Sequence, residues 1–317
     1  MRKALVVIFV VASIFAMALP AIAAPGTVIA TFDPNKGELP EGLTISKTGK
    51  IYVSFPFTGE LRTVSLDGTS AHFATLPTGG GFGPLGLAVD APGNVYAGVR
   101  TTDPATQGVY RVSRDGEATR LPGSGSIAFA NGLAFDQRGN LYVTDTILGA
   151  VWRIPRGGSA ELWIQDDALE GDGSAGFGFP LGANGIAVRH NQVYVTVTEQ
   201  ASVVRIPIES DGSAGPLSVL AQAPALGGSD GIALDVHGNL WVPVIAQSTI
   251  VRISPDGSSI DTFATEADGL NWASSIAWGT GRGARKTLYA VNFGIGSSAP
   301  TPNVIAFDAG VPGDPLP

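Results

Sequence analysis

Phe129-Ala130-Asn131-Gly132-Leu133-Ala134-Phe135-Asp136-Gln137-Arg138-Gly139-Asn140-Leu141-Tyr142-Val143 recurs in variant form along the chain. Aligned on its glycine, the copies bring Gly42, Gly86, Gly132, Gly185 and Gly231 into register, with Ser275 in the glycine's place in a sixth copy. Successive copies lie 44 to 53 residues apart. Each glycine is followed by a short apolar run, a turn and a second apolar run, such as Ile51-Tyr52-Val53 or Leu240-Trp241-Val242. A repeat of this length made of several short strands is the mark of a propeller blade.

Turn chemistry divides each repeat. The first two runs are joined by Asp-x-x-Gly-Asn at 90–94, 136–140 and 235–239, with a weaker form at 46–50, and later hairpins carry Asp67-Gly68, Asp115-Gly116, Gly157-Gly158, Asp211-Gly212 and Asp256-Gly257. Aspartate caps the backbone of such a turn and glycine supplies the positive φ it needs. Four strands per repeat and six repeats predict an all-β, six-bladed β-propeller. The β-branched run within 26–34 stands outside the first repeat and is expected to close the ring by completing the last blade, which removes an exposed sheet edge. The longest interval reflects an insertion at 165–180, rich in glycine and acids, which reads as a solvated loop.

Composition narrows the function. Arg2-Lys3, an apolar run from Ala4 to Leu19 and Ala21-Ile22-Ala23 read as a cleavable signal peptide over 1–23, leaving 24–317 as one propeller domain that is secreted or periplasmic, with no membrane association after cleavage. The formal charge of −8 becomes two units more negative without Arg2 and Lys3, which argues against nucleic acid and for a small-molecule substrate. With no cysteine, disulfides, thiolate nucleophiles and cysteine-ligated zinc are excluded. The 43 glycines and 22 prolines indicate a turn-rich chain, and 44% hydrophobic residues indicate a folded one. Oligomeric state is not legible.

The residue before the aligned glycine varies: Glu41, Leu85, Asn131, Asn184, Asp230 and Ser274. First strands of propeller blades line the central channel, so these six side chains are expected to form a ring. Glu41, Asn131, Asn184 and Asp230 offer two carboxylates and two amide oxygens. That set suits a hard cation such as Ca2+, which takes about 6 to 8 oxygens, and spacing does not exclude Mg2+, Mn2+ or Zn2+.

The ordered set Glu41-Gly42, Asn131-Gly132, Asn184-Gly185 and Asp230-Gly231 resembles the calcium-ligand tetrad of the gluconolactonase and regucalcin (senescence marker protein) family, related to diisopropyl fluorophosphatase and more loosely to the paraoxonases. The resemblance spans nearly the whole chain after the leader. It implies a six-bladed propeller with a catalytic divalent ion, usually calcium, at one end of the channel. It further implies that Glu41, Asn131, Asn184 and Asp230 hold the metal and that Asp230 is the catalytic carboxylate, as general base or nucleophile. Sugar-lactone members often carry an arginine two residues before the first Asn, where this chain has Phe129. With Leu85, Phe177 and Phe179, that departure points to a less polar substrate, and Phe129, Leu85, Asn131 and Ser274 are the expected substrate contacts.

His190 and His237 fall in turns expected at the opposite end of the channel, and His72 on an outer strand, so no histidine mechanism is supported. Loops at 100–108, 146–150, 198–201, 246–248 and 292–302 are expected to form the rim. These features lead to an exported, metal-dependent hydrolase of a lactone or related ester. Two alternatives stay open: a non-catalytic binding propeller with a structural calcium, and a strictosidine synthase-like propeller enzyme.

Overall fold

The structure, a computed structural model, describes residues 25–317. The signal peptide expected over 1–23 lies outside the described residues. Six antiparallel four-stranded sheets are arranged as the blades of a propeller. Their inner strands are Leu43–Ile45, Pro84–Val89, Ala130–Phe135, Ala183–Arg189, Ala233–Leu234 and Ala273–Trp278. In blades one to five the remaining three strands follow in chain order outward. In blade six the outermost strand is Thr27–Thr31, paired antiparallel to Asn303–Asp308 with Thr27 opposite Ala306 and Thr31 opposite Asn303. The expected ring closure is therefore present.

Burial explains the strand sequences. Second strands such as Ile51–Phe55 and Leu240–Val244 are buried along their whole length, because a neighbouring blade covers each face, and they read as mostly apolar runs. Outer strands such as Ser70–Thr75 and Ala118–Arg120 are mostly exposed and polar. The core is consequently six wedges, one between each pair of adjacent blades. The wedge between blades six and one holds Phe32, Leu43, Val53, Phe55, Val291 and Val304, and that between blades five and six holds Trp241, Phe263, Trp278 and Phe307.

The Asp-x-x-Gly-Asn turns behave as turns. Asp90 Oδ1 accepts from Asn94 N–H at 2.7 Å and Asp90 Oδ2 from the Asn94 amide at 2.7 Å, and Asp136 and Asp235 repeat the pattern with Asn140 and Asn239. The acids of the insertion are used in the same way: Asp166 caps Ala168 and Asp172 caps Ser174, each at 2.9 Å. Among the described residues no helix is long and apolar enough to cross a membrane.

Candidate metal centre

A local irregularity accompanies the ring residues of four blades. Where the inner and second strands of blades two, three, four and six pair, the register shifts between Pro84 and Leu87, Ala130 and Leu133, Ala183 and Ile186, and Ala273 and Ser275. Such a bulge frees a residue from the ladder and re-aims its side chain. The backbone freed in this way is recaptured by hydroxyls. Thr144 Oγ1 accepts from Gly132 N–H at 2.8 Å and donates to the carbonyl of Asn184 in the next blade. Thr196 links Gly185 to the Asp230 carbonyl, and Ser54 links Gly42 to the Leu85 carbonyl at 2.6 Å.

The aligned glycine is required by that same contact. A Cβ on Gly132 would lie 2.5 Å from the Asn184 carbonyl oxygen, one on Gly185 2.3 Å from that of Asp230, and one on Gly42 2.2 Å from that of Leu85. Each ring residue's backbone therefore rests on the glycine of the preceding blade.

The structure brings Glu41, Asn131, Asn184, Asp230 and Ser274 around one cavity of about 70 Å3 on the channel axis. All five are buried. Asn131 Nδ2 donates to Asn184 Oδ1 at 2.8 Å and to Thr146 Oγ1 at 3.2 Å, while Asn184 Nδ2 donates to Thr198 Oγ1 at 3.0 Å. Ser274 Oγ is turned to the backbone and donates to the Glu41 carbonyl at 2.8 Å. Glu41 Oε2 is buried with no hydrogen-bond partner. Burial, and then the Asp230 charge, push the Glu41 carboxyl well above the usual carboxylate range. Burial pushes Asp230 up to about 8, with the neighbouring Asn184 amide pulling the other way.

No lysine, arginine or histidine lines this cavity. Two facing carboxylates in a dry site must then be neutralised by protons or by a cation. The donor set is all oxygen, one carboxylate oxygen is orphaned, and neither nitrogen nor sulfur is offered, so the residues fit a hard divalent ion. Among the described residues no group of three or more His, Cys, Asp and Glu gathers as a metal site, the ring itself contributing two acids and two amides.

Beneath the ring lies a belt with one aliphatic side chain from each blade: Leu43, Leu87, Leu133, Ile186, Ile232 and Ile276. Five of the six also line a second cavity of about 450 Å3 at the other end of the channel, which the C-terminal residues Asp314 to Pro317 help to enclose. That cavity is larger, but its walls are mostly apolar and bring together no comparable set of ion donors. The belt is a floor that separates the two, and it supplies the desolvation felt by Glu41 and Asp230.

The remaining expected site residues are distributed as follows. Leu85 is buried but does not line the ion cavity; its contribution there is the carbonyl that accepts from Ser54. Phe129 stands one layer above the ring. Its N–H donates to Asp145 Oδ1 at 3.0 Å and its carbonyl accepts from Thr146 N–H at 3.1 Å. His190 and His237 sit in the turns after the inner strands of blades four and five, and His72 on the outer strand of blade one. Residues the sequence reading passed over are Thr144, Thr196, Thr146 and Thr198, which hold the ring, and Asp145. The Asp145 carboxylate is buried and accepts from Ala128, Phe129, Leu148 and the Trp152 indole. Their only signal was a polar side chain late in an otherwise apolar second strand or just beyond it.

Similarity to known proteins follows the geometry. Residues 181–291, which include Asn184 and Asp230, match the family described as SMP-30/Gluconolactonase/LRE-like region. No curated protein sequence matches the chain. Regucalcin from Agrobacterium tumefaciens, a calcium-binding protein, superposes with a TM-score of 0.68 at 15% identity over 94% of this chain and 98% of its own. A gluconolactonase from Xanthomonas campestris gives 0.65 at 18% identity over 94% and 99%. Virginiamycin B lyase from Staphylococcus aureus gives 0.58 at 20% identity over 85% and 81%. At these identities the structures speak for the fold, and the family match speaks for the ring's second half. The chain is a six-bladed propeller that resembles the SMP-30, gluconolactonase and regucalcin family, as its four ring residues led one to expect.

Proposed function

We propose that the protein is an exported, divalent-cation-dependent hydrolase of a lactone or related ester, with calcium as the cation held by Glu41, Asn131, Asn184 and Asp230. The observation that carries this reading is the pair of buried carboxylates, Glu41 and Asp230, with no basic side chain in their cavity to balance them. When bound, the cation supplies Lewis-acid polarisation of the substrate carbonyl and stabilises the charge that develops on its oxygen.

The chain's own residues do the rest. Asp230 either takes a proton from an attacking water, whose oxygen bonds to the carbonyl carbon as the ester C–O bond breaks, or attacks that carbon itself. In the first case the proton passes on to the departing alkoxide; in the second, the alkoxide leaves and takes a proton from water, and a water later cleaves the acyl–Asp230 anhydride to the free acid and Asp230. Glu41 balances charge. Thr146 and Thr198 hold the amide nitrogens of Asn131 and Asn184, which fixes which end of each amide is the oxygen, and the Asn184 oxygen also accepts from Asn131. The apolar belt keeps water from reaching the site through the channel. With all three histidines away from the ring, proton handling falls to a carboxylate.

The test is turnover of a panel of lactones, carboxylic esters and phosphotriesters with calcium and after chelation. Chelation is expected to abolish hydrolysis, and Asp230→Asn to lower kcat by about a hundredfold or more while the protein stays folded. Calcium-dependent stability with no turnover across the panel would sink the hydrolase reading and favour a non-catalytic binding propeller.

A further inference from the structure

A cavity of about 70 Å3 accommodates an ion and little else, so the body of any substrate must lie against the layer above the ring. Drug-sized ligands occupy roughly 300 Å3 or more. On one side that layer is made of phenylalanine. Phe293, Phe57, Phe82, Phe129, Phe179 and Phe177 form an unbroken series of ring contacts, with successive centroids 6.2, 5.6, 6.5, 5.6 and 6.4 Å apart. The series runs from blade six past blades one and two to blade three and the 165–180 insertion.

It is anchored to the ion ring. Phe129 is two residues from Asn131, and Thr146 joins them: its N–H donates to the Phe129 carbonyl while its hydroxyl accepts from the Asn131 amide. Phe293 N–H donates to the carbonyl of Trp272, two residues before Ser274. Trp272 itself takes φ = 52°, a conformation a bulky residue rarely adopts, and strain of this kind concentrates at ligand sites. The insertion that carries Phe177 and Phe179 is tied down by Glu199, whose carboxylate accepts from the N–H groups of Gly173, Ala175 and Leu181 at 2.7 to 3.0 Å.

Exposure distinguishes this wall from packing. Phe129 and Phe293 are buried beneath it, but Phe57 is 43% exposed and Phe177 48%, and these are the two exposed large aromatics among the described residues. Both belong to this one series, on the face that leads to the ion ring. Wetted rings gathered in one place mark a surface that something apolar covers.

We propose that this wall binds an apolar portion of the substrate, so that the site selects an ester or lactone bearing an aromatic ring or extended alkyl chain over a polyhydroxylated one. This rests on the reading of the ring as a carbonyl-activating centre. The two are separated by measuring binding apart from turnover.

The probes are a γ-lactam carrying a phenyl or octyl substituent and the unsubstituted γ-lactam, titrated calorimetrically into the calcium-loaded full chain. The substituted lactam is expected to bind tighter by about tenfold or more, the yield of covering a ring or a few methylenes. The exposed pair Phe57→Ala/Phe177→Ala, chosen because neither supports the core, and separately Phe129→Ala, should bring that ratio down toward one. Equal affinity of the two lactams for the unmodified chain, absence of binding by either, or a ratio unchanged in both variants overturns the proposal. Hydrolysis of phenyl- or octyl-substituted lactones and of a polyhydroxylated lactone is followed in parallel. Faster turnover of the polyhydroxylated lactone would overturn the wall and leave the hydrolase reading intact. No lactone turnover with the lactam ratio retained would overturn the hydrolase reading and leave the wall standing.

Discussion

Glu41 and Asp230 set the protein's response to pH. Burial raises both, so the folded protein free of metal holds protons that the unfolded chain releases near the ordinary carboxylate values of 4.5 and 3.8. The pair's contribution to the stability of the metal-free protein is therefore fully present below about pH 4 and is lost as pH rises through the folded-state values, toward about 8 for Asp230. A cation held as proposed would take the ionised pair, so calcium binding should release protons and tighten over the same range. Thermal melts between about pH 5 and about pH 8 with calcium or chelator, and calorimetry in buffers of different ionisation enthalpy, measure both effects. A metal-free protein that gains stability with rising pH would contradict the assignment. Glu41→Gln removes the need to protonate one buried carboxyl on folding, and should stabilise the metal-free protein near neutral pH while weakening calcium binding by about tenfold or more.

The inner-strand bulge is the element on which the ring's two amides, Asn131 and Asn184, depend. Thr144→Val keeps the side chain's shape but strands the Gly132 N–H and the Asn184 carbonyl, at a cost of about 1–3 kcal/mol in denaturant unfolding. Thr196→Val should cost less, because the Gly185 N–H still donates to the Asp230 carbonyl at 3.0 Å, and either variant should lower calcium affinity while leaving Glu41, Asn131, Asn184 and Asp230 unchanged. Gly132→Ala should cost more, about 2–4 kcal/mol, because its methyl meets a backbone carbonyl that cannot move without displacing Asn184. The sequence read this element unevenly. Gly132, the Asp136 turn and the apolar runs repeat with a period, because every blade must cover the same two faces, and they were visible for that reason. Asn131 stood out as the position that escapes the period. Thr144, Thr146 and Asp145 did not stand out, since their partners lie across a bulge, across a blade boundary or on a loop, and no spacing along the chain records such partnerships. Leu85 was in the right ring for the wrong reason, contributing a carbonyl where a side chain was expected.

At the scale of the whole molecule the propeller is six wedges in a circle, and the circle is only as strong as its seam. Ala30, buried in the wedge between blades six and one, is the test position. Ala30→Asp places an unpaired charge there and should destabilise the fold by about 3 kcal/mol or more, read by denaturant unfolding, with association through the opened edge of Asn303–Asp308 visible in size-exclusion chromatography. The seam also carries information about time. The strand at Thr27–Thr31 is made before the five blades that separate it from its partner at Asn303–Asp308, so those blades can form in order of synthesis while the ring itself cannot shut. Closing it means joining the two ends of nearly the whole described chain, a loop whose entropy must be lost before any contact repays it. Until then the ring that gathers Glu41 of the first blade with Asp230 of the fifth is an open arc, and the proposed ion site comes into being as a product of completion rather than of any one blade.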